Sequence, residues 1–209
     1  MLTHVRPAVV LLALFTLLTG LFYPLAITGI AQILMPGRAN GSLVLAGGAP
    51  VGSALIGQNF ADPKYFHGRP SATQAQDPAH PDDSSKTIDA PYNAANSTGS
   101  NLGPTSQKLI DRVKADVEGR RAAGFEGPIP ADAVTTSASG FDPDISPQNA
   151  LAQVESVARA RNLKPEVVRA LVEAHVDRPF LGLIGEPRVN VLLLNIALDA
   201  LSLAEKPAT

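Results

Sequence analysis

Cysteine and tryptophan are both missing from this chain. Without cysteine there are no disulfides and no thiolate metal sites, although that absence selects no compartment. Aromatic residues make up only 5%, too few for a platform on which bases or sugars would stack. The formal net charge is −2 and the lysines and arginines are scattered, so the basic stripe of a nucleic-acid binder is missing as well. Four histidines, at positions 4, 67, 80 and 175, include no pair at metal-ligand spacing on a helix.

Catalytic motifs are equally scarce. The glycine cluster Gly47-Gly48 to Gly52 lacks the lysine of a phosphate loop and reads as a turn. There is no Gly-x-Ser-x-Gly elbow and no Asp-Lys-Thr-Gly-Thr segment bearing a phosphorylatable aspartate. A hydrolase triad can be assembled on paper from Ser139, His67 and Asp142. Its competitor is that Ser137, Ser139 and Asp142 cap and turn a loop, as such residues routinely do.

What the chain does have is one long run without charge, Pro7 to Gly37, whose centre Val9–Leu34 is almost entirely apolar. At about 1.5 Å rise per residue it outreaches a hydrocarbon core of about 30 Å. This predicts a membrane helix over 7–35 behind a short tail, 1–6. A cleaved signal peptide is the alternative, with Gly29-Ile30-Ala31 at its cleavage site. The apolar stretch continues past Ala31, beyond the roughly 7–15 residues of a signal core, which favours an uncleaved anchor. Pro24 cannot donate to the carbonyl of Gly20, so a kink is expected between them. Thr16 and Gly20 lie four apart and offer a small surface to another helix, with a lone anchor as the competing reading. Arg6 and Arg38 flank the two ends almost evenly, leaning toward the amino terminus inside and the following domain outside.

The remainder is long enough for one compact domain, 41–203, followed by a short tail, 204–209. Ser42–Ala46 and Pro50–Ile56 read as strands joined at Gly47-Gly48. Tyr65–Ala72 is extended and stopped by proline. Asp77–Ala90, rich in proline, serine and aspartate, reads as a mobile surface loop. Thr105 is expected to cap a helix that buries Leu109, Ile110, Val113 and Val117 and ends near Gly124. Ser146-Pro147 opens a second helix with Leu151, Val154, Val157 and Ala158 inside. Pro165 starts a third, through His175, with Val168, Leu171 and Val172 inside. Asn190 caps the last, Val191–Leu203, apolar on most faces and expected deep in the core. Strands beside segregated helices give an α+β fold: one transmembrane helix, then a single mixed domain.

Five polar, Gly/Pro-punctuated blocks remain: Gly52–Phe60, Tyr65–Ala72, Ser97–Pro104, Ser137–Pro143 and Gly185–Val191. Together with Tyr23-Pro24, Ala39-Asn40-Gly41-Ser42 and Leu194-Asn195-Ile196-Ala197-Leu198-Asp199, their order resembles the C subunits of the Kdp potassium-transporting P-type ATPases over nearly the whole chain. Thr98, where the family often has a second glycine, and the long Asp77–Ala90 segment depart from the pattern. The residue at Asp144 sits where relatives vary.

The resemblance implies a bacterial inner-membrane complex with a channel-like A subunit, an ATP-hydrolysing B subunit and a small F subunit, in contact with membrane lipid. ATP, Mg and K+ are implied for the complex, with no cofactor assigned to this chain. It would be a non-catalytic, essential subunit, described in the family as a catalytic chaperone that raises the affinity of the B subunit for ATP. Direct nucleotide contact requires a cytoplasmic domain; an external domain would act by coupling across the membrane. The external, periplasmic placement, capping the potassium entrance, is favoured. Thr16, Gly20 and Pro24 are then expected to pack against other subunits' helices. Asn101, Ser139 and Asp142 are candidates for docking, or for internal turn stabilisation. Glu186 and Arg188 pair across an interface, or Arg188 holds the last helix within its own domain. The rival classes are a released periplasmic binding or hydrolytic domain, and a membrane-anchored enzyme using His67 or Asp142.

Overall fold

The computed structural model describes residues 2–125, 127–179 and 181–204. The chain divides into two compact units, Met1–Ser53 and Ala54–Thr209.

The first unit opens with a helix, α1 (Leu2–Leu17), which starts ahead of the uncharged run and carries Pro7 within its early turns. It passes through a π-helical turn, Leu18–Phe22, into α2 (Tyr23–Leu34). The kink expected at Gly20–Pro24 therefore takes the form of a π turn. Tyr23 donates its N–H to the Leu18 carbonyl, five residues back. The wider turn makes room for the proline ring and adds a residue to the register, so Pro24 does not keep the four-residue spacing that relates Thr16 to Gly20. Thr19 donates its hydroxyl to the Phe15 carbonyl at 2.7 Å, supporting the same stretch. Thr3–Leu34 is the one described helix long and apolar enough to cross a membrane.

After Leu34 a short helical turn, α3 (Pro36–Ala39), leads into the hairpin β1 (Leu43–Ala46) and β2 (Ala49–Ser53). Gly47 and Gly48, at φ +60° and +83°, form the turn that the Gly-Gly pair predicted. A register shift between Val44 and Leu45 leaves Val51 as an extra residue on β2.

In the second unit, β3 (Gln74–Gln76) pairs antiparallel with β4 (Thr87–Asp89). The Asp77–Ala90 stretch, read as a mobile surface loop, thus ends in a strand. Its interior is a series of turns, with Lys86 N–H on the Asp83 carbonyl and Asp77 N–H on the Lys86 carbonyl. Strands three residues long carry too little alternation to be legible beforehand.

Helix α4 (Gln107–Ala122) takes Ser106, not Thr105, as its N-cap, and no side-chain hydrogen bond is made there. Its predicted stripe is only half-buried, and Ile110 is exposed. Its end is as expected: Gly124 adopts φ +90°, and Phe125 N–H reaches the Arg120 carbonyl while Gly124 N–H reaches Arg121. That pair of bonds satisfies the last carbonyls, with the Arg120 guanidinium 5.5 Å from the Phe125 ring.

The core lies where β5 (Asp144–Ile145), α5 (Pro147–Arg161), α6 (Pro165–Ala174), β6 (Val176–Asp177), β7 (Arg188–Asn190) and α7 (Val191–Ala204) meet. The sheet order is β5-β7-β6, all antiparallel. Val154, Val157, Val168, Val172, Val189, Leu194 and Leu198 are buried against Phe66 and Ile145. Ser146 caps α5 by accepting from Asn149 N–H, with Pro147 at the first helical position. The Asp132 carboxylate accepts from Ser146 N–H, the Ser146 hydroxyl and the Asn149 amide, placing negative charge at the positive end of α5. Asn190 accepts from Leu193 N–H at 3.1 Å, the cap expected for α7. The fold is α+β, as the sequence implied.

Candidate docking surface

The extended block Tyr65–Ala72 runs past α5 and α7, and its backbone has no sheet partner. Two buried amides supply one. Asn195 accepts from Phe66 N–H at 2.8 Å and donates to the Phe66 carbonyl at 2.9 Å. Gln153 does the same for His67, accepting at 2.8 Å and donating at 3.1 Å. Each side chain mimics one rung of a β-ladder, so two consecutive residues are paired without a strand. Gln153 also donates to Asn149, one turn back. Next to them, Arg161 binds Asp199 at 2.7 Å and lies 4.9 Å from the Tyr65 ring, whose hydroxyl donates to the same carboxylate.

Arg69 joins the polar blocks. Its guanidinium pairs with Asp142 at 3.0 Å and donates to the carbonyls of Thr135 and Thr136. Tyr92, at φ +60°, donates its hydroxyl to the Arg69 carbonyl at 2.8 Å. Burial pushes this phenol up to about 12. A side chain at Gly68 would meet the Tyr92 oxygen at 2.3 Å, and one at Gly57 would meet the Asp142 carbonyl at 2.5 Å. Gly57 N–H in turn donates to the Phe141 carbonyl. Gly57 and Gly68 are therefore close-approach positions. Thr98 sits at ordinary negative φ, so the family's alternative glycine is not required there. Gly99 is, because a Cβ would lie 2.8 Å from the Ala138 carbonyl.

The sequence-predicted site residues fall into two groups. Asp142 is committed internally, to Arg69 and to Asp144 N–H. Arg188 is committed to Asp177 at 2.8 Å and Asp144 at 3.3 Å, both in its own sheet. Ser139 accepts from Phe141 N–H, and its carbonyl takes the Ser97 hydroxyl, yet the residue is exposed. Asn101, at φ +51°, and Glu186 are also exposed. Thr16, Gly20 and Pro24 lie in the other unit, all exposed.

The paper triad does not assemble. His67 donates its Nδ1 proton to the Phe60 carbonyl, Ser139 holds a turn, and Asp142 faces Arg69. Burial holds the His67 imidazole below its ordinary value of 6.5, against the pull of that carbonyl. The unfolded chain therefore takes up a proton first as pH falls below 6.5, and stability declines with acid until the folded imidazole titrates too. Asp116 and Asp144, raised by burial, act in the opposite sense as pH rises above 3.8. Thermal melts from about pH 7.5 to about 5.5 are expected to fall less steeply for His67→Gln than for the unaltered chain. Equal slopes would remove His67 from this account.

Beside Asn101, loops and α4 enclose a cleft of about 500 Å³ edged by Ser71, Asp89, Ser100, Lys108, Arg112 and Thr136. The half-buried Asp116 carboxylate on the same helix is 3.8 Å from Arg112. The β6–β7 loop exposes three aliphatic side chains, Leu181, Leu183 and Ile184, with Leu181 at φ +53°. Sequence reading passed over this loop, although three large apolar residues set around the turn glycines Gly182 and Gly185 were its signal. It also passed over Gln153 and Asn195, whose signal was an amide set within an apolar helical stripe.

These features define an α+β domain carried behind one membrane-competent helix, its polar motifs spent on joining its own loops. The chain matches the family model described as KdpC, the K+-transporting ATPase c chain, over residues 5–200. It is 60% identical over 199 residues to the potassium-transporting ATPase KdpC subunit of Bradyrhizobium diazoefficiens, covering 95% of this chain and 98% of that one. The corresponding subunit of Rhodopseudomonas palustris is 61% identical over 200 residues, covering 96% and 98%. That of Methylobacterium nodulans is 62% identical over 202 residues, covering 97% and 99%. The chain belongs to the KdpC family.

Proposed function

We propose that this chain is a non-catalytic subunit of an ATP-driven potassium import complex. It anchors by its single helix and assembles with a channel-like A subunit, an ATP-hydrolysing B subunit and a small F subunit. The observation that carries this reading is likeness at about 60% identity across almost the full length of potassium-transporting ATPase subunits. A partnerless enzyme using His67 or Asp142 is disfavoured by the hydrogen bonds that occupy both groups.

In this reading Thr16, Gly20 and Pro24 pack against neighbouring membrane helices. Asn101, Ser139, Glu186 and the Leu181–Ile184 loop meet the other subunits. Asp142 and Arg188 hold that surface in shape from within. The α+β domain lies outside the cell membrane, over the potassium entrance. Any effect on ATP affinity is then a coupling through two pump states, and requires contacts that differ between them.

Purification in gentle detergent is expected to recover the other subunits with this chain. Recovery of the chain alone, under conditions that preserve membrane complexes, would overturn the assembly reading. Reporter fusions at Thr209 test the placement: activity from a periplasmic reporter is expected, and activity only from a cytoplasmic one reverses it. Mass spectrometry of the mature amino terminus separates an anchor from a processed chain starting near Gln32.

A further inference from the structure

We propose that the β1–β2 hairpin is a membrane-surface element, resting the apolar face of β1 on the lipid boundary where the helix leaves the bilayer. This rests on the reading that α1–α2 spans the membrane.

The helix ends with Ile33 and Leu34, which are 82% and 71% exposed. Nine residues later β1 begins, and its Leu43 and Leu45 are each 61% exposed. Two apart on a strand, they share one face. Leucines so placed on a two-stranded ribbon bury little within the chain, and an isolated hairpin needs another surface to be stable.

The link between helix and hairpin is tied at successive points. Gln32 and Asn40 exchange side-chain amide hydrogen bonds at 3.1 and 3.2 Å, across α3. Asn40 also donates to the Pro36 carbonyl at 2.8 Å. Ser42 N–H reaches the Gly37 carbonyl, and the Ser53 hydroxyl reaches the Gly41 carbonyl. The chain thus turns straight from the helix into the hairpin instead of extending into water.

Charge supports lipid as the occupant. Between Arg6 and Asp62 the only charged side chain is Arg38, on α3. An arginine just past an apolar span lies at headgroup level, with its stem along apolar surface and its guanidinium toward phosphates. An uncharged hairpin with leucines on one face, immediately beyond that arginine, continues the apolar surface of the helix into the interface. The boundary between headgroups and acyl chains, about 5–10 Å deep, is where an exposed apolar face of this kind is buried.

The absence of tryptophan makes the test direct, because any tryptophan introduced is the sole one. Full-length chains carrying Leu45→Trp or Leu43→Trp are reconstituted into vesicles of phosphatidylethanolamine and phosphatidylglycerol. Part of the lipid is brominated, either high or low on the acyl chain. Quenching of about twofold is expected from the high-brominated lipid, and less from the low-brominated one. Leu21→Trp serves as the membrane-span control and is expected to respond to the low-brominated lipid. Quenching of Leu21→Trp with none at either hairpin position overturns the inference and leaves the span intact. No quenching at Leu21→Trp overturns the inference together with the span on which it rests. Hairpin quenching seen in the isolated chain and kept in the assembled complex supports lipid as the occupant. Hairpin quenching lost on assembly replaces lipid with a neighbouring subunit.

Discussion

Asn195→Ala is expected to destabilise the α+β domain by about 3 kcal/mol. The side chain is buried and makes two hydrogen bonds, one to each backbone group of Phe66, which is itself buried. Alanine leaves the Phe66 N–H and carbonyl without partners, each worth about 1–3 kcal/mol in desolvation when orphaned. It also opens a void beside Leu194 and Leu198, both in the core cluster. For a chain of this size the melting temperature should fall by about 10 °C. Circular dichroism melts of the full-length chain in detergent measure it. Leu193→Ala, a change of an exposed residue on the same helix, is the comparison and should lower the melt by far less. A drop for Asn195→Ala no larger than that of Leu193→Ala would sink the paired-amide account.

Gly20→Ile is expected to lower recovery of the assembled complex about tenfold, the equivalent of some 1.4 kcal/mol of helix association. Its diagnostic value comes from what surrounds Gly20 in its own chain. A Cβ built there meets nothing within 4 Å among the described residues outside its own helical turns. Isoleucine is also at home in a membrane helix. A loss of partners from a chain whose own helix content is unchanged then comes from a helix outside it that needs the small surface beside the π turn. Co-purified subunits are counted for Gly20→Ile and for Leu12→Ile, a nearly neutral change on the same helix. Equal recovery of the two would make this helix a lone anchor.

The two predictions separate what each unit owes to its surroundings. Phe66 and Asn195 are satisfied within the chain, so their failure appears as unfolding. Gly20 is open, so its failure appears only when partners are present.

Much of this protein was legible in the sequence because the signals were local. The apolar run needs only length and the absence of charge to declare a span, and Gly20–Pro24 declares a disturbance because proline lacks a donor. Ser146-Pro147 and Asn190 announced helix starts that the structure contains, since a cap bonds residues only a few positions away. The order of the polar blocks sufficed for the family, though not for what those blocks do.

That last question was decided by tertiary structure, because the deciding contacts join distant positions. Asp142, read as a docking or catalytic candidate, pairs with Arg69, far off in sequence. Arg188, read as an interface cation or as an internal tie, pairs with Asp144 and Asp177 of its own sheet, a contact no local signal announced. Thr105 lost the cap to Ser106 because the chain turns helical one residue later. Gln153 and Asn195 read as interruptions of apolar stripes, and became the rungs that hold an extended segment with no strand beside it. The sequence by itself determined where a helix long and apolar enough for a membrane runs and where most of the later helices begin, since hydropathy and capping act over a few residues. Only the tertiary structure decided which polar groups are spent inside the domain, because a buried hydrogen bond depends on which distant partner the fold brings within reach.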